Sequence, residues 1–173
     1  MTKRPSTFKN IILMNVSWFA CILGAAKGFP EIGPVIVALS LLVQFGKEVF
    51  NPFLFLFFIL VAMIGTIADQ ILIQLEAISF SCCSFLPNNY PLWMLALWVS
   101  FATAFFSSLK FIRSRYIIGF IFGFLGGAAA YYAGAELNAI YLGSDLEKSL
   151  FQIAVLWGTS VPVLGLIHRR LFK

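Results

Sequence analysis

The stretch Val49–Gln74 reads V-F-N-P-F-L-F-L-F-F-I-L-V-A-M-I-G-T-I-A-D-Q-I-L-I-Q, and its only charged residue is Asp69. An α-helix needs about 20 consecutive, mostly apolar residues to cross the hydrocarbon core of a bilayer. The length and composition of this stretch meet that requirement. They therefore predict a transmembrane helix, and with it an integral membrane protein.

Five further stretches of similar character follow or precede it. They are Asn10–Lys27, Ile32–Gly46, Pro91–Leu109, Tyr116–Leu137 and Leu150–His168. The second of the six helices, Ile32–Gly46, is the shortest, and it fits either a strongly tilted span or a re-entrant hairpin. The segment Glu76–Tyr90 contains two asparagines and a proline, which predicts a loop. We therefore predict an all-α fold in which residues 1–173 form a single domain, a bundle of about six transmembrane helices.

The overall composition supports a membrane protein, because the chain has too few charges to coat a soluble globule. Only 11% of its 173 residues are charged and 61% are apolar, whereas soluble domains carry about 25% charged residues. The formal net charge of +5 would permit nucleic acid as a partner. The positions of the basic residues therefore have to decide between a nucleic acid and a membrane surface.

Ten of the twelve basic residues fall on one predicted side of the membrane. They are Lys3, Arg4, Lys9, Lys47, Lys110, Arg113, Arg115, Arg169, Arg170 and Lys173, whereas Lys27 and Lys148 fall on the other side. Cytoplasmic loops of membrane proteins are enriched in lysine and arginine. The asymmetry predicts a multi-pass protein of a bacterial inner membrane with both termini in the cytoplasm, and it explains the basic charge without a nucleic-acid partner.

Asp69 is the most informative candidate for a functional residue, because it lies in an otherwise apolar helix. A carboxylate inside a membrane is costly unless it is paired, protonated or hydrated, so it marks a functional site by default. The alternative is that Asp69 caps or fixes a neighbouring helix. Gln70 and Gln74 follow on a neighbouring stripe, and Glu136 ends the fifth helix at a similar depth. Asp69 and Glu136 could form a polar vestibule or an acid pair, unless Glu136 is only a helix-end residue.

Three more side chains complete the predicted ligand site: Asn15, Trp18 and Tyr132. Asn15 and Trp18 share a stripe of the first helix with Cys21. An asparagine in hydrocarbon needs an internal hydrogen-bond partner, which predicts that this stripe faces protein. Trp18 fits a pocket wall and plain packing equally well.

Small residues on the fifth helix predict close helix packing. They recur at spacings of three and four and comprise Gly119, Gly123, Gly126, Gly127, Ala130 and Gly134. Such a face lets another helix approach closely. It carries no indication of chemistry, since a glycine-rich phosphate loop would also need a lysine and a strand-to-helix context.

Motifs for metal binding and covalent catalysis are missing from the sequence. It contains no HExxH, no GxSxG and a single histidine, His168, which is interpreted as an anchor beside two arginines. Cys82 and Cys83 are interpreted as interfacial thiols, with vicinal redox chemistry as the alternative. We therefore predict no metal and no cofactor, and an enzyme is not favoured.

Four parts of the chain resemble a known family. They are N-V-S-W-F-A-C-I-L-G-A-A (Asn15–Ala26), the intramembrane Asp69, P-L-W-M-L-A-L-W-V-S-F-A (Pro91–Ala102) and Y-Y-A-G-A-E-L (Tyr131–Leu137). On these segments the chain is identified as a member of domain of unknown function 2878 (DUF2878), a family of bacterial inner-membrane proteins. The resemblance implies a small polytopic protein with no assigned activity and no established site residues. It also implies an association with membrane-lipid modification, with a lipid-modifying enzyme as a partner.

Four functions remain open at this point. The first is binding of a lipid or another small amphipathic ligand in a pocket formed by Asp69 and the other predicted site residues. The second is a small transporter, or a subunit of a transporter, that uses the intramembrane carboxylate, although no internal repeat is visible in the sequence. The third is a membrane-embedded enzyme with Asp69 and Glu136 as a carboxylate pair, and the fourth is a scaffolding protein.

Overall fold

The computed structural model describes residues 5–80 and 90–173, so Cys82 and Cys83 lie outside the described residues. The described part contains six α-helices. They are α1 (Thr7–Ala26), α2 (Ile32–Phe45), α3 (Pro52–Gln74), α4 (Leu92–Ala102), α5 (Tyr116–Glu136) and α6 (Leu146–Leu171). Short 3-10 helices follow α2 at Gly46–Phe50 and α4 at Thr103–Phe106. The predicted all-α bundle is confirmed.

Side chains that accept hydrogen bonds from the first turn set where helices begin. Ser6 caps α1 by accepting a bond of 3.2 Å from the Lys9 amide. Asn51 caps α3 by accepting a bond of 3.0 Å from the Phe53 amide, and Pro52 follows it in the first helical turn. Such caps satisfy amides that have no partner inside the helix, and proline is well tolerated at this place.

The three odd-numbered helices end in the same backbone motif. Gly28, Glu76 and Asn138 adopt positive φ angles of 80°, 56° and 63° just after α1, α3 and α5. The next amide in each case donates to a carbonyl five residues earlier, at 2.8–3.0 Å: Phe29 to Gly24, Ala77 to Leu72 and Ala139 to Gly134. This is the Schellman motif, which satisfies the last carbonyls of a helix and turns the chain back. The fold is therefore built from three helical hairpins, α1–α2, α3–α4 and α5–α6.

One end of the bundle contains both ends of the described chain. The fully buried Asn10 at the start of α1 donates to Gln44 at 2.7 Å and to Thr103 at 2.8 Å, and it accepts from Ser108 at 2.8 Å. At the same end, His168 near the end of α6 packs on the beginning of α3. We call it the basic end, after Lys9, Lys47, Lys110, Arg113, Arg115, Arg169 and Arg170, which lie there.

The opposite end is closed by a small sheet, and we call it the hairpin end. Strand β1 (Ile78–Phe80) pairs antiparallel with β2 (Ile140–Leu142), with Ser79 opposite Tyr141. The predicted loop Glu76–Tyr90 therefore begins with a short strand. This pairing joins the second helical hairpin to the third.

Within residues 5–80 and 90–173, five helices are long and apolar enough to cross a membrane. Ile32–Phe50, which combines α2 with its 3-10 extension, is one of them, so the second helix, predicted as the shortest, is long enough to span. The short member is the fourth, Leu92–Phe106. Its side chains are largely enclosed, with Trp93 and Trp98 at most 1% exposed, because α1, α2 and α3 all pack on it. A helix surrounded by protein does not need to match the thickness of the hydrocarbon core.

The small-residue face of α5 packs on α6, as predicted. A Cβ placed at Gly123 would lie 2.4 Å from the Trp157 carbonyl oxygen, and one at Gly127 would lie 2.3 Å from the Trp157 ring. Those separations are far below van der Waals contact, so both positions require glycine. Gly126 differs, since a Cβ there would meet no atom within 4 Å.

Candidate functional site

Asp69 is fully buried and accepts hydrogen bonds from three side chains. The Tyr90 hydroxyl and the Trp98 indole N–H both donate to Oδ2, each at 2.8 Å. The Tyr131 hydroxyl donates to Oδ1. Because Trp98 lies on α4 and Tyr131 on α5, this single carboxylate connects α3 to both helices.

Gly65 creates the space that lets Trp98 reach the aspartate. It lies one helical turn before Asp69 on the same face of α3, and a Cβ there would lie 2.1 Å from the Trp98 ring. The indole therefore lies directly on the α3 backbone, with its N–H pointing toward the carboxylate. The same spacing recurs on α5, where Gly127 accommodates Trp157 one turn before Tyr131.

The two tryptophans that rest on these glycines also contact each other. The Trp98 and Trp157 rings stack with their centroids 4.2 Å apart and an interplanar angle of 14°, and the ring of Phe101 meets the Trp157 ring edge-on at 5.2 Å. Offset stacking of aromatic rings is favourable beyond the area that it buries. The second and third helical hairpins thus share an aromatic wall whose position depends on Asp69.

The surroundings of Asp69 contain hydrogen-bond donors and no counter-charge. Its interaction partners in the described part of the chain are the three neutral side chains, and segment 81–89 contains no lysine, arginine or histidine. The described residues also contain no group of three or more His, Cys, Asp or Glu side chains that could hold a metal ion. A shell of donors satisfies a carboxylate in an apolar interior, but it offers no ligands to a metal. The geometry favours the fixing role that the sequence left as an alternative.

An apolar cavity of about 440 Å³ lies on the other side of this aromatic wall. Helices α1, α4, α5 and α6 line it, and most of its lining atoms are carbon. Trp98, Tyr131 and Trp157 form one wall, whereas Trp18 and Phe19 of α1 form another. Asp69 does not line the cavity; it holds two of the lining side chains from behind.

The cavity opens sideways between α1 and α5. Asn15, Phe19, Phe122 and Ala129 line it and are also exposed at the surface of the bundle. At the hairpin end α1 and α5 come together, since a Cβ at Gly134 would contact both Ile22 and Ile140. The opening therefore faces the region that lipid surrounds in a membrane, and it is closed toward the hairpin end.

A family model described as protein of unknown function (DUF2878) matches residues 7–163. The chain belongs to the DUF2878 family. The resemblance identified in the sequence is thereby confirmed, and the matched region contains Asp69, its three donors and every residue that lines the cavity. No curated protein and no solved structure matches this DUF2878 chain.

The seven predicted site residues of this DUF2878 protein lie at different places. Asn15 and Trp18 line the cavity, Asp69 lies behind its wall, Gln70 is half-buried, and Gln74, Tyr132 and Glu136 are exposed and do not line it. Because Glu136 is exposed and is absent from the partners of Asp69, the structure does not assemble the carboxylate pair that an acid–base enzyme would use.

The predicted environment of Asn15 is wrong. Its side chain is exposed, and its amide nitrogen donates to the Ile11 carbonyl of the same helix at 2.8 Å. Cys21, on the same predicted stripe, is fully buried. The stripe therefore faces protein at Cys21 and faces the mouth of the cavity at Asn15, while α1 packs mainly on α2 and α4.

Sequence reasoning did not include Tyr90, Trp98 and Tyr131 in the site. A usable signal was the spacing of Gly65 to Asp69 and of Gly127 to Tyr131, which places a glycine one turn before a polar side chain on two helices. A bare backbone patch beside a buried polar group indicates that a large side chain with a polar atom fills the space.

His168 is also placed differently from its prediction as a membrane anchor. It is 2% exposed and lies among the rings of Phe57, Phe106 and Phe172, with centroid distances of 5.2, 4.5 and 4.8 Å. Its Nδ1 lies 3.3 Å from a guanidinium nitrogen of Arg113. The residue is therefore part of the interior of the basic end, and Arg169 and Arg170 are the exposed groups beside it.

Proposed function

We propose that this DUF2878 protein binds an acyl chain of a membrane lipid, or another small amphipathic ligand, in the cavity between α1 and α5. The observation that carries the proposal is an apolar cavity of about 440 Å³ that opens sideways between two helices able to cross a membrane. Ligand pockets commonly have volumes of about 300–1,000 Å³. Hydrocarbon chains surround such an opening, so an acyl chain enters it without leaving an apolar medium.

The lining of the cavity supports an uncharged, apolar ligand segment. None of the lining residues is charged, and the polar ones include Asn15, Ser100 and Tyr131. The Tyr131 hydroxyl is already engaged with Asp69. Aromatic rings and exposed glycine backbone offer many close carbon contacts, which attract a chain by dispersion. Because Asp69 fixes Trp98 and Tyr131 beforehand, little side-chain ordering is left for the ligand to induce.

The proposed orientation in the membrane rests on the unequal number of basic residues at the two ends of the bundle. We propose that the basic end faces the cytoplasm of a bacterial inner membrane, so that both termini are cytoplasmic. The support is the concentration of lysine and arginine at the end where α1 begins and α6 ends. Reporter fusions at the two termini test this orientation, and reporters active on opposite faces would contradict it. An accessory role beside a lipid-modifying enzyme is an additional proposal that rests on the family resemblance alone.

Tryptophan fluorescence can test acyl-chain binding directly. Lipids with brominated acyl chains quench tryptophans that they touch. In a variant with Trp18→Phe and Trp93→Phe, the remaining reporters are Trp98, which is 1% exposed, and Trp157, both of which line the cavity. We expect brominated chains to quench this pair in nanodiscs, because the chain lies against the stacked rings.

Two leucine substitutions provide a matched comparison for this assay. Ala129→Leu places a larger side chain at the mouth of the cavity, whereas Ala38→Leu adds the same volume on an exposed part of α2 outside it. Quenching should fall in Ala129→Leu and stay unchanged in Ala38→Leu. Equal quenching in both variants, or absence of quenching in the parent, would show that no chain occupies the cavity.

A further inference from the structure

The segment below the mouth of the cavity is basic and connects the two helices that frame the opening. It runs from Ser108, whose hydroxyl donates to Asn10 at the beginning of α1, to Arg115, the residue immediately before α5. Lys110 and Arg115 are exposed on it. We call the gap between α1 and α5, from the mouth of the cavity to the basic end, the crevice. A ligand that extends from the cavity along this crevice therefore meets these two cationic side chains.

Acidic residues are distributed so that they do not neutralise this segment. All seven lie in described residues, and Glu48 is the one at the basic end. Glu48 belongs to the 3-10 helix between α2 and α3, and neither of those helices lines the cavity. The positive charges of Lys110 and Arg115, at the basic end of the opening between α1 and α5, are therefore available to bind an anionic ligand or membrane surface.

The mouth of the cavity lies within reach of a lipid whose headgroup is at the basic end. Phe122, which lines the cavity nearest that end on α5, lies seven residues from Arg115, a rise of about 10 Å. From Phe122 to Tyr131 the lining of the cavity rises about another 14 Å, so the whole cavity lies within about 24 Å of Arg115 along α5.

We propose that the occupant of the crevice is an anionic phospholipid of the leaflet at the basic end, with its phosphate near Lys110 and Arg115 and one acyl chain in the cavity. This inference rests on the proposed function and adds the headgroup charge and the leaflet to it. Each lysine or arginine near a membrane surface favours an anionic lipid by about fivefold in affinity. An apolar cavity alone would not distinguish lipids by their headgroups, so the selectivity should come from the basic segment.

The Trp18→Phe/Trp93→Phe variant, whose remaining tryptophans are Trp98 and Trp157, can test the headgroup preference. It is placed in nanodiscs of phosphatidylcholine that contain a small fraction of brominated lipid. The probe is either brominated phosphatidylglycerol, which is anionic, or brominated phosphatidylcholine with the same chains. We expect phosphatidylglycerol to quench at a lower mole fraction. The Lys110→Gln/Arg115→Gln variant should lose about twentyfold or more of that preference, and raising the salt concentration should weaken it.

A matched charge removal at the other end is the control. Lys27 and Lys148 are exposed at the hairpin end, so Lys27→Gln/Lys148→Gln should keep the preference. If both brominated lipids quench the parent protein equally, or if the two double variants behave alike, the headgroup inference is wrong while chain binding stands. If neither lipid quenches, chain binding itself fails. Absence of quenching together with a dimer cross-linked through α1 and α5 would identify a second copy of the chain as the occupant and overturn the inference.

Discussion

Replacing Asp69 with leucine would remove an acceptor on which three buried donors depend. Tyr90, Trp98 and Tyr131 would keep their polar hydrogens in an interior that offers no water. Removing one partner of a buried polar cluster is costlier than replacing all of it, because the remaining groups are left unsatisfied. We therefore expect Asp69→Leu to destabilise the bundle, even though leucine is the more apolar side chain.

The size of this effect follows from the number of bonds. Double-mutant cycles in membrane proteins give about 0.6 kcal/mol for a side-chain hydrogen bond, with a maximum of about 1.7 kcal/mol. Three bonds predict a loss of about 2–5 kcal/mol in the free energy of unfolding for Asp69→Leu. Tyr131→Phe, which removes one bond, should cost about 0.6–1.7 kcal/mol.

Reversible unfolding in mixed micelles with increasing dodecyl sulfate, followed by circular dichroism, measures these changes. Glu136→Leu is the matched control, since it removes an exposed carboxylate from α5 and should change stability by less than about 0.5 kcal/mol. Tyr131→Phe should cost less in the Asp69→Leu background than in the wild type, because its acceptor is already missing. If Asp69→Leu is as stable as the wild type, or if the two substitutions are simply additive, the carboxylate does not hold the wall.

Three further substitutions test other parts of the structure. Gly65→Ala would place a Cβ 2.1 Å from an indole ring, so it should lower the midpoint of thermal unfolding and shift tryptophan emission; an unchanged spectrum would contradict the close contact. Asn10→Leu removes a hydrogen-bond partner from the buried Gln44 and Thr103 and from the half-buried Ser108, and it should cost about 1–3 kcal/mol in the same micelle titration. Cys21 is fully buried, so in a chain with Cys82→Ser and Cys83→Ser a maleimide should label it only after unfolding; rapid labelling in native membranes would show that α1 and α2 separate.

Hydropathy was sufficient to predict where most helices run. The predicted fifth helix, Tyr116–Leu137, differs from α5 by one residue at its end, and the predicted third helix, Val49–Gln74, differs from α3 by three residues at its beginning. In a bilayer every backbone amide must be satisfied within the chain, so a long apolar run has few alternatives to a helix. The stop positions come from local signals such as Asn51 before Pro52.

Hydropathy was not sufficient where protein, rather than lipid, surrounds the chain. The fourth helix is short because its neighbours enclose it, and a length rule based on lipid contact does not apply to it. The donors of Asp69 could not be assigned either. The sequence contains five tyrosines and four tryptophans, and a buried carboxylate indicates that donors are needed without indicating which ones are near.

The shared ending of the three helical hairpins was not predicted, for a related reason. It is a backbone motif after α1, α3 and α5, which three different residues, Gly28, Glu76 and Asn138, adopt. A comparison of side chains finds little in common among them. Equivalent positions appear only when the chain is aligned on the helix ends, where Asp69 and Tyr131 both lie three residues before the carbonyl that closes the turn.

The pairing between the second and third hairpins has a consequence for biosynthesis. Tyr131 follows Asp69 by 62 residues, and the two strands at the hairpin end are separated by a similar length of chain. Ribosomes add about 5–20 residues per second, so Asp69 Oδ1 and the first strand wait roughly 3–12 seconds for their partners to be synthesised. A nascent chain that stops before α5 would leave Oδ1 without the Tyr131 donor and β1 without its paired strand, which makes the last hairpin the element that completes assembly.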